Sequence, residues 1–131
     1  MSVEQKQKRI EIAAGRKKAD LVIKNAGIVN VFTNEIIFGD IAVHDSLIVG
    51  IGEYSGKEEI DAGGKYVCPG LIDCHVHIES GMVTPVEFAR VVLQHGTTTI
   101  IADPHEIANV CGIEGIHFMM NEAQFVPMNI Y

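Results

Sequence analysis

Hydrophobic and polar positions alternate over short distances in residues 19–67. Apolar segments are separated there by Gly, Asn and Asp, which is typical of short strands joined by tight turns. A two-residue hairpin turn at Asp45–Ser46 would place both residues near positive φ, which disfavours serine relative to glycine. We expect short antiparallel strands at Leu21–Ile23, Ile28–Phe32, Ile36–Phe38, Ile41–Val43 and Leu47–Ile51.

The pattern changes near Pro69, where a strand, helix, strand, helix, strand order begins. Leu71–Cys74 is a short apolar strand, and residues 84–87 combine the Thr, Pro and Glu of a helix start with a capping box. Apolar residues then recur at helical spacing, which predicts a helix over Pro85–His95. The further predicted elements are a buried parallel strand at Thr97–Ala102, a helix at Ile113–Ala123 and a third strand at Phe125–Tyr131.

These patterns predict an α/β chain in three parts. Residues 1–18 form a basic helix or arm, residues 19–67 part of a small β-domain, and residues 68–131 successive βα units. A parallel sheet of three strands leaves apolar surface and both edges uncovered. Because the third strand reaches Tyr131, the last residue, we expect a fragment of a larger α/β fold.

Charge is unevenly distributed along the chain. The formal net charge is −7, which argues against a general nucleic-acid binder because phosphate contacts need clustered positive charge. Residues 1–18 carry +4 and the other 113 residues carry −11. The basic segment has too few apolar residues for a strong membrane-binding face. We therefore expect a solvated N-terminal helix, with neither nucleic acid nor a membrane as partner.

Cysteine usage and hydropathy bear on location. The three cysteines, Cys68, Cys74 and Cys111, are an odd number without a C-x-x-C pair, which favours reduced thiols over a disulfide framework. No apolar run approaches the roughly 18 residues of a spanning helix, and the N-terminus is polar where a secretory signal is apolar. We expect an unexported, cytoplasmic protein.

Two histidines lie where the strand beginning at Leu71 ends. His75 and His77 are two residues apart, so strand geometry places both imidazoles on one side, where they can ligate one metal ion. A lone H-x-H pair is equally compatible with a solvated loop. Position favours a site, because chemistry on parallel α/β scaffolds lies beyond the carboxyl ends of the strands.

The next strand ends in a second polar cluster, Asp103-Pro104-His105-Glu106. Two carboxylates and an imidazole beside a bend fixed by proline suit proton transfer in hydrolysis. Alternatively, Asp103 caps a turn and Glu106 is merely solvated. Because both clusters project from neighbouring strands toward one face, a shared metal-hydrolase site explains them better.

Other polar residues have less specific signals. Glu79 lies just after the histidines and is either near the site or exposed to solvent. Cys74 should point away from His75, into packing. The remaining histidines lie on predicted elements away from the strand ends, and we interpret them as structural: His44, His95 and His117.

The segment from Pro69 to Ser80 resembles the first barrel strand of the amidohydrolase superfamily, whose P-G-x-I-D-x-H-x-H motif is specific. Three later segments resemble the bacterial and archaeal adenine deaminases within that superfamily. The most discriminating of these is D-P-H-E-I-A-N-V at 103–110, and the others are G-M-V-T-P at 81–85 and H-G-T-T-T at 95–99. The resemblance extends over residues 19–131.

This resemblance implies a metal-dependent (β/α)8 barrel, here incomplete, beside a small β-domain. His75 and His77 match metal-ligand positions, and Asp103, His105 and Glu106 match a motif at the active-site mouth, for which we expect catalytic roles. The implied cofactor is a divalent metal, manganese or iron, in a binuclear site. The implied reaction is the hydrolytic deamination of adenine to hypoxanthine and ammonia by metal-activated water.

Other interpretations remain open at this point. The first motif is shared across the superfamily, so a dihydroorotase-like or deacetylase-like enzyme is an alternative. A truncated remnant without catalytic function is another, since barrel strands four to eight and their ligands are missing from this sequence. A homo-oligomer is also compatible with the sequence.

Overall fold

The computed structural model describes all residues from Met1 to Tyr131, which divide into two compact units, Met1–Pro69 and Gly70–Tyr131. The first unit contains α1 (Val3–Ala13), β1 (Ala19–Asn30), β2 (Glu35–His44), β3 (Leu47–Gly52), β4 (Gly56–Asp61) and β5 (Tyr66–Val67). The second contains β6 (Leu71–Val76), α2 (Pro85–Val92), β7 (Thr97–Ala102), α3 (His105–Ala123) and β8 (Asn129–Ile130), with 3-10 turns at Glu79–Gly81 and Leu93–His95.

The first unit is a five-stranded sheet in which β1 is central. The strand order is β3-β2-β1-β4, and β5 also pairs with β1. The predicted strands on either side of Asn25 are one long strand, because a bulge with φ 54° at this residue keeps pairing with β2 continuous. Likewise, the predicted strands at Ile36–Phe38 and Ile41–Val43 are both part of β2. Strands β4 and β5 run parallel to β1, so the expectation of purely antiparallel pairing was wrong.

The hairpin between β2 and β3 forms at the predicted turn. Asp45 and Ser46 both adopt positive φ, 53° and 59°, as a two-residue hairpin turn requires. Asp20 accepts a hydrogen bond from the Asp45 N–H, and its carboxylate also contacts the buried His44. His44 is thus structural, as expected.

Helix α1 is attached to the sheet rather than fully solvated. Ser2 and Gln5 form a reciprocal capping box at its start. Ile12 is 1% exposed in a core cluster with Ala19, Val22 and Ala42. The Tyr54 hydroxyl donates a hydrogen bond to the Ala13 carbonyl at 2.8 Å. The basic segment therefore has one buried apolar anchor, which the expectation of a solvated helix missed.

The second unit is a parallel three-stranded sheet with the order β6-β7-β8, covered on one face by helices. Ile78, Ile100 and Met119 form its core. Thr84 caps α2 through the Glu87 N–H, but the predicted capping box is only half formed, because the Glu87 carboxylate pairs with Arg90. The predicted helix Pro85–His95 tightens to a 3-10 turn before Gly96, whose φ is 91°.

Two elements of this unit depart from the predictions. Helix α3 starts at His105, not at Ile113, and is interrupted at Gly112, where φ 63° and ψ −152° break the helical path. The third strand is limited to Asn129–Ile130 instead of Phe125–Tyr131. None of the helices combines the length and the apolar composition needed to cross a lipid bilayer.

Candidate metal centre

The carboxyl ends of β6 and β7 bring the two predicted polar clusters together. The strands are parallel neighbours, and Val76 pairs with Ala102, so the residues that follow each strand lie side by side. Ligand atoms of His75, His77 and Asp103 lie within 4.8 Å of one another. The expected convergence of the two strand ends is present.

The His77 side chain is held in one tautomer. Its Nδ1 lies 2.7 Å from the backbone carbonyl oxygen of Asp103. Because a carbonyl oxygen only accepts, Nδ1 must carry the proton and donate it, which leaves Nε2 with a free lone pair. Metal-binding histidines are usually oriented by such a hydrogen bond through the other ring nitrogen.

The Asp103 carboxylate is the third member of the cluster. Its Oδ2 accepts a hydrogen bond from His105 Nδ1 at 3.0 Å and lies 3.8 Å from His75 Nε2. The hydrogen bond from His105 holds the pKa of the Asp103 carboxyl below its usual range, so the carboxylate is charged at neutral pH. The sequence predicts a catalytic role for Asp103, and the structure places its carboxylate beside the two imidazoles, in a group of ligand atoms that could hold a metal ion.

The three imidazoles of the site pack edge to face. The ring of His77 lies between those of His75 and His105, with centroid separations of 4.9 Å and 4.7 Å. His75 is the most exposed member, at 68% of its side chain, and its backbone N–H donates to Asp73 Oδ1. The cluster therefore lies open on the surface of this chain, accessible to a cation.

Glu106 lies at the same end of the sheet but outside the cluster. Its Oε2 accepts a hydrogen bond from the Ser80 hydroxyl at 2.6 Å. Glu79, in the same 3-10 turn, accepts a hydrogen bond from the Ile107 N–H at 3.2 Å and so caps α3. Ser80 was not predictable as a site residue, because nothing in the sequence signals a partner 26 residues away.

A cavity of about 690 Å³ in the second unit is not part of this cluster. It is lined by Ile78, Ala102 and the α3 residues Met119 and Met120. Ile78 and Met119 also belong to the apolar core of this unit, and the cavity lining includes none of His75, His77 and Asp103. The cavity is therefore a continuation of the apolar core and is separate from the cluster.

The cysteines are free and exposed. Cys74 was expected to pack inside, but it is exposed, because no element of this chain covers β6 from Leu71 to His75.

Comparison with known proteins identifies the family. Residues 66–131, which make up half of the chain, match the Amidohydrolase family. The chain belongs to the amidohydrolase family. The solved structure of an L-hydantoinase (dihydropyrimidinase) from Arthrobacter aurescens matches 66% of the chain and 21% of that protein, with a TM-score of 0.52 and 33% identity. The second unit is thus the start of an amidohydrolase barrel, and the chain corresponds to a fragment of such proteins.

Two curated relatives are more similar to this chain in sequence than the hydantoinase is. An adenine deaminase of Geobacillus kaustophilus is 64% identical over 123 residues, covering 94% of this chain and 21% of the relative. An adenine deaminase of Bacillus subtilis is 56% identical over 123 residues, which again cover 94% of this chain and 21% of the relative. This chain therefore spans about one fifth of the length of these relatives.

The donor set fits the metal use of the family. Amidohydrolases generally use divalent metals. Imidazole nitrogens and carboxylate oxygens are ligands that divalent transition metals accept, and the His77 hydrogen bond supplies the orientation such a site needs. His75, His77 and Asp103 could therefore hold one divalent ion.

Proposed function

We propose that this chain is the metal-binding first part of an amidohydrolase that deaminates adenine by hydrolysis. The observation that carries the proposal is the cluster of His75, His77 and Asp103 at the ends of two parallel strands. The choice of adenine rests on the adenine deaminases that match nearly the whole chain at up to 64% identity.

His75, His77 and Asp103 would hold the metal, manganese or iron, as part of a binuclear site that needs ligands from outside this chain. Bound there, the metal supplies activation of the attacking water. Glu106 would accept one proton from the water that adds to C6 and would pass it to the amino group, so that the C6–N bond breaks and ammonia leaves. The second proton of the water would remain on the product, as the N1–H of hypoxanthine. His105 keeps the Asp103 carboxylate in place through their hydrogen bond.

We further propose a role in purine metabolism in the cytoplasm. The free thiols are compatible with a reducing compartment. The net charge of −7 disfavours a nucleic acid as partner.

A hybrid enzyme tests the proposed function. This chain replaces the aligned segment of the Geobacillus kaustophilus adenine deaminase, to which it is 64% identical. The purified, metal-loaded hybrid is assayed for hypoxanthine and ammonia formed from adenine. A matched hybrid with His77→Ala should lose metal and turnover together, while His95→Ala, which removes an exposed imidazole elsewhere, should retain both.

The same hybrid distinguishes the alternatives. Hydrolysis of hydantoin in place of adenine would favour the activity named for the Arthrobacter aurescens neighbour. A folded hybrid that binds metal as the parent does, but acts on neither compound, would contradict a catalytic role for this segment.

A further inference from the structure

The 3-10 turn Glu79–Gly81 is joined to the start of α3 by two hydrogen bonds from adjacent residues. Glu79 Oε1 accepts from the Ile107 backbone N–H, and the Ser80 hydroxyl donates to Glu106 Oε2. The turn begins two residues after His77, and α3 begins two residues after Asp103. These bonds therefore connect the segments that follow the two ligand-bearing strands.

The first bond compensates for a weak helix start. Pro104 occupies the N-cap of α3 and makes no side-chain capping hydrogen bond. A helix leaves its first N–H groups without internal partners, and a carboxylate at this end also interacts favourably with the helix dipole. Glu79 supplies that carboxylate from another segment. The turn of helix that carries Glu106 is therefore fixed by Glu79.

The second bond fixes the Glu106 side chain itself. The Ser80 hydroxyl donates to Glu106 Oε2 over 2.6 Å, a distance within the ordinary range for a hydroxyl-to-oxygen hydrogen bond. One carboxylate oxygen is thereby engaged, and no hydrogen bond within the chain occupies the other. A glutamate held in this way presents a single oxygen in a defined orientation.

We propose that Ser80 is a positioning residue for Glu106, orienting its carboxylate for proton transfer. The proposal rests on the proposed function, in which Glu106 moves the proton. Ser80 acts only through Glu106, and both groups are exposed, so the bond competes with water and determines orientation more than stability.

The kinetic test uses the hybrid enzyme with adenine. Ser80→Ala should lower kcat by about 10- to 100-fold, the range expected when a reacting group is misplaced. KM and metal content should stay unchanged, and Ser80→Thr, which keeps a hydroxyl, should restore most of the turnover. The matched control is Met82→Ala, next to the same turn, where the side chain is 94% exposed and makes no hydrogen bond.

A double-variant cycle separates positioning from a structural role. If Ser80 acts through Glu106, adding Ser80→Ala to Glu106→Gln should lower kcat by less than about twofold. A structural role would lower kcat equally in both backgrounds and would overturn the proposal. Turnover in Ser80→Ala equal to that of the unsubstituted hybrid would overturn it as well.

An NMR measurement on the 131-residue chain tests the same hydrogen bond without requiring catalytic activity. The side-chain carboxyl carbon resonance of Glu106 should shift in Ser80→Ala, return in Ser80→Thr and stay in place in Met82→Ala. An unshifted resonance in Ser80→Ala overturns the proposal by itself.

The hybrid enzyme distinguishes failure of the proposed function from failure of the Ser80 proposal. An unsubstituted hybrid that releases no ammonia from adenine overturns the proposed function and the role of Ser80 with it. An active hybrid whose turnover is unchanged by Ser80→Ala overturns the Ser80 proposal alone.

Discussion

His77 Nδ1 donates a hydrogen bond to the backbone carbonyl oxygen of Asp103, across the gap between two parallel strands. One residue thus supplies a carbonyl that orients one imidazole and a carboxylate that faces another, His75. The geometry of the cluster is therefore partly fixed by backbone, which side-chain substitution cannot remove.

Divalent-metal binding to this chain should depend on His77. His77→Ala should weaken Mn²⁺ binding by at least about 10- to 100-fold, a loss already seen when only the supporting partners of metal ligands are removed. Isothermal titration calorimetry with Mn²⁺ measures the change. His95→Ala removes an exposed imidazole outside the cluster and serves as control. Equal binding by the His77→Ala and His95→Ala chains would exclude the cluster as the site.

The chain by itself should not deaminate adenine, even with added iron or manganese. Two imidazoles and one carboxylate leave most of a binuclear coordination sphere to water, and the fixed groups that stabilise the transition state are too few. Ammonia release from adenine by the purified chain is the measurement. Steady release that His75→Ala abolishes would show this expectation to be wrong.

Glu106→Gln in the hybrid should separate proton transfer from metal binding. The amide keeps the size of the side chain and can still accept from Ser80, but it cannot take up a proton as a carboxylate does. Turnover should fall by about 10²- to 10⁴-fold with metal content intact. Metal analysis and turnover are measured on one preparation. Loss of metal would make Glu106 a ligand, and unchanged turnover would remove it from the catalytic residues.

Acid stability should depend on Asp40, a buried carboxylate. Burial raises the pKa of Asp40, but hydrogen bonds from Lys24 Nζ and from the Tyr54 and Asn25 N–H groups outweigh it, so this pKa lies below its ordinary value. A lowered folded-state pKa contributes stability that is fully present above the unfolded pKa of about 4 and is lost as pH falls through the folded pKa.

The stability difference between the unsubstituted chain and Asp40→Asn should therefore shrink as pH falls below about 4. Urea unfolding at a series of pH values measures it. Asp45→Asn, an exposed substitution in the hairpin turn that Asn tolerates, is the control. A difference independent of pH would contradict the role given to Asp40.

The docking of α1 should depend on Ile12. Ile12 is 1% exposed whereas Ile10, on the same helix, is 65% exposed. Ile12→Ala should lower the free energy of unfolding by about 2 to 5 kcal/mol, and Ile10→Ala by less than about 0.5 kcal/mol. Denaturant unfolding of both variants decides whether the helix is part of the cooperative unit. Equal effects would mean that α1 is not docked in solution.

Local signals predicted the elements that depend on local chemistry. The Thr84 cap, the strand Thr97–Ala102 and the two-histidine spacing are properties of neighbouring residues, and the structure contains all three. The start of α3 was not predictable in this way, because its capping group, Glu79, is 28 residues away from the N–H it accepts from. The parallel pairing of β4 with β1 likewise depends on tertiary packing rather than on a turn.

The candidate site was likewise predictable only where it depends on local sequence. Spacing and strand direction predicted that His75 and His77 would meet the segment after β7. The placement of Asp103 with the imidazoles, and of Glu106 with Ser80, depends on side-chain orientation across two segments, which the sequence does not encode locally.

The interruption at Gly112 divides α3 into two helical segments that contribute different residues to the structure. Its φ and ψ lie in a region that glycine alone enters readily, so the axis need not continue through it. The first seven residues, His105–Cys111, present His105 and Glu106, whereas the buried Gly115 and Met119 belong to the later segment. The two segments nevertheless touch, because a side chain added at Gly115 would come within 2.9 Å of the Ile107 carbonyl oxygen and side chain. The residue at 115 therefore has to stay small if the turn that carries Glu106 is to keep its place.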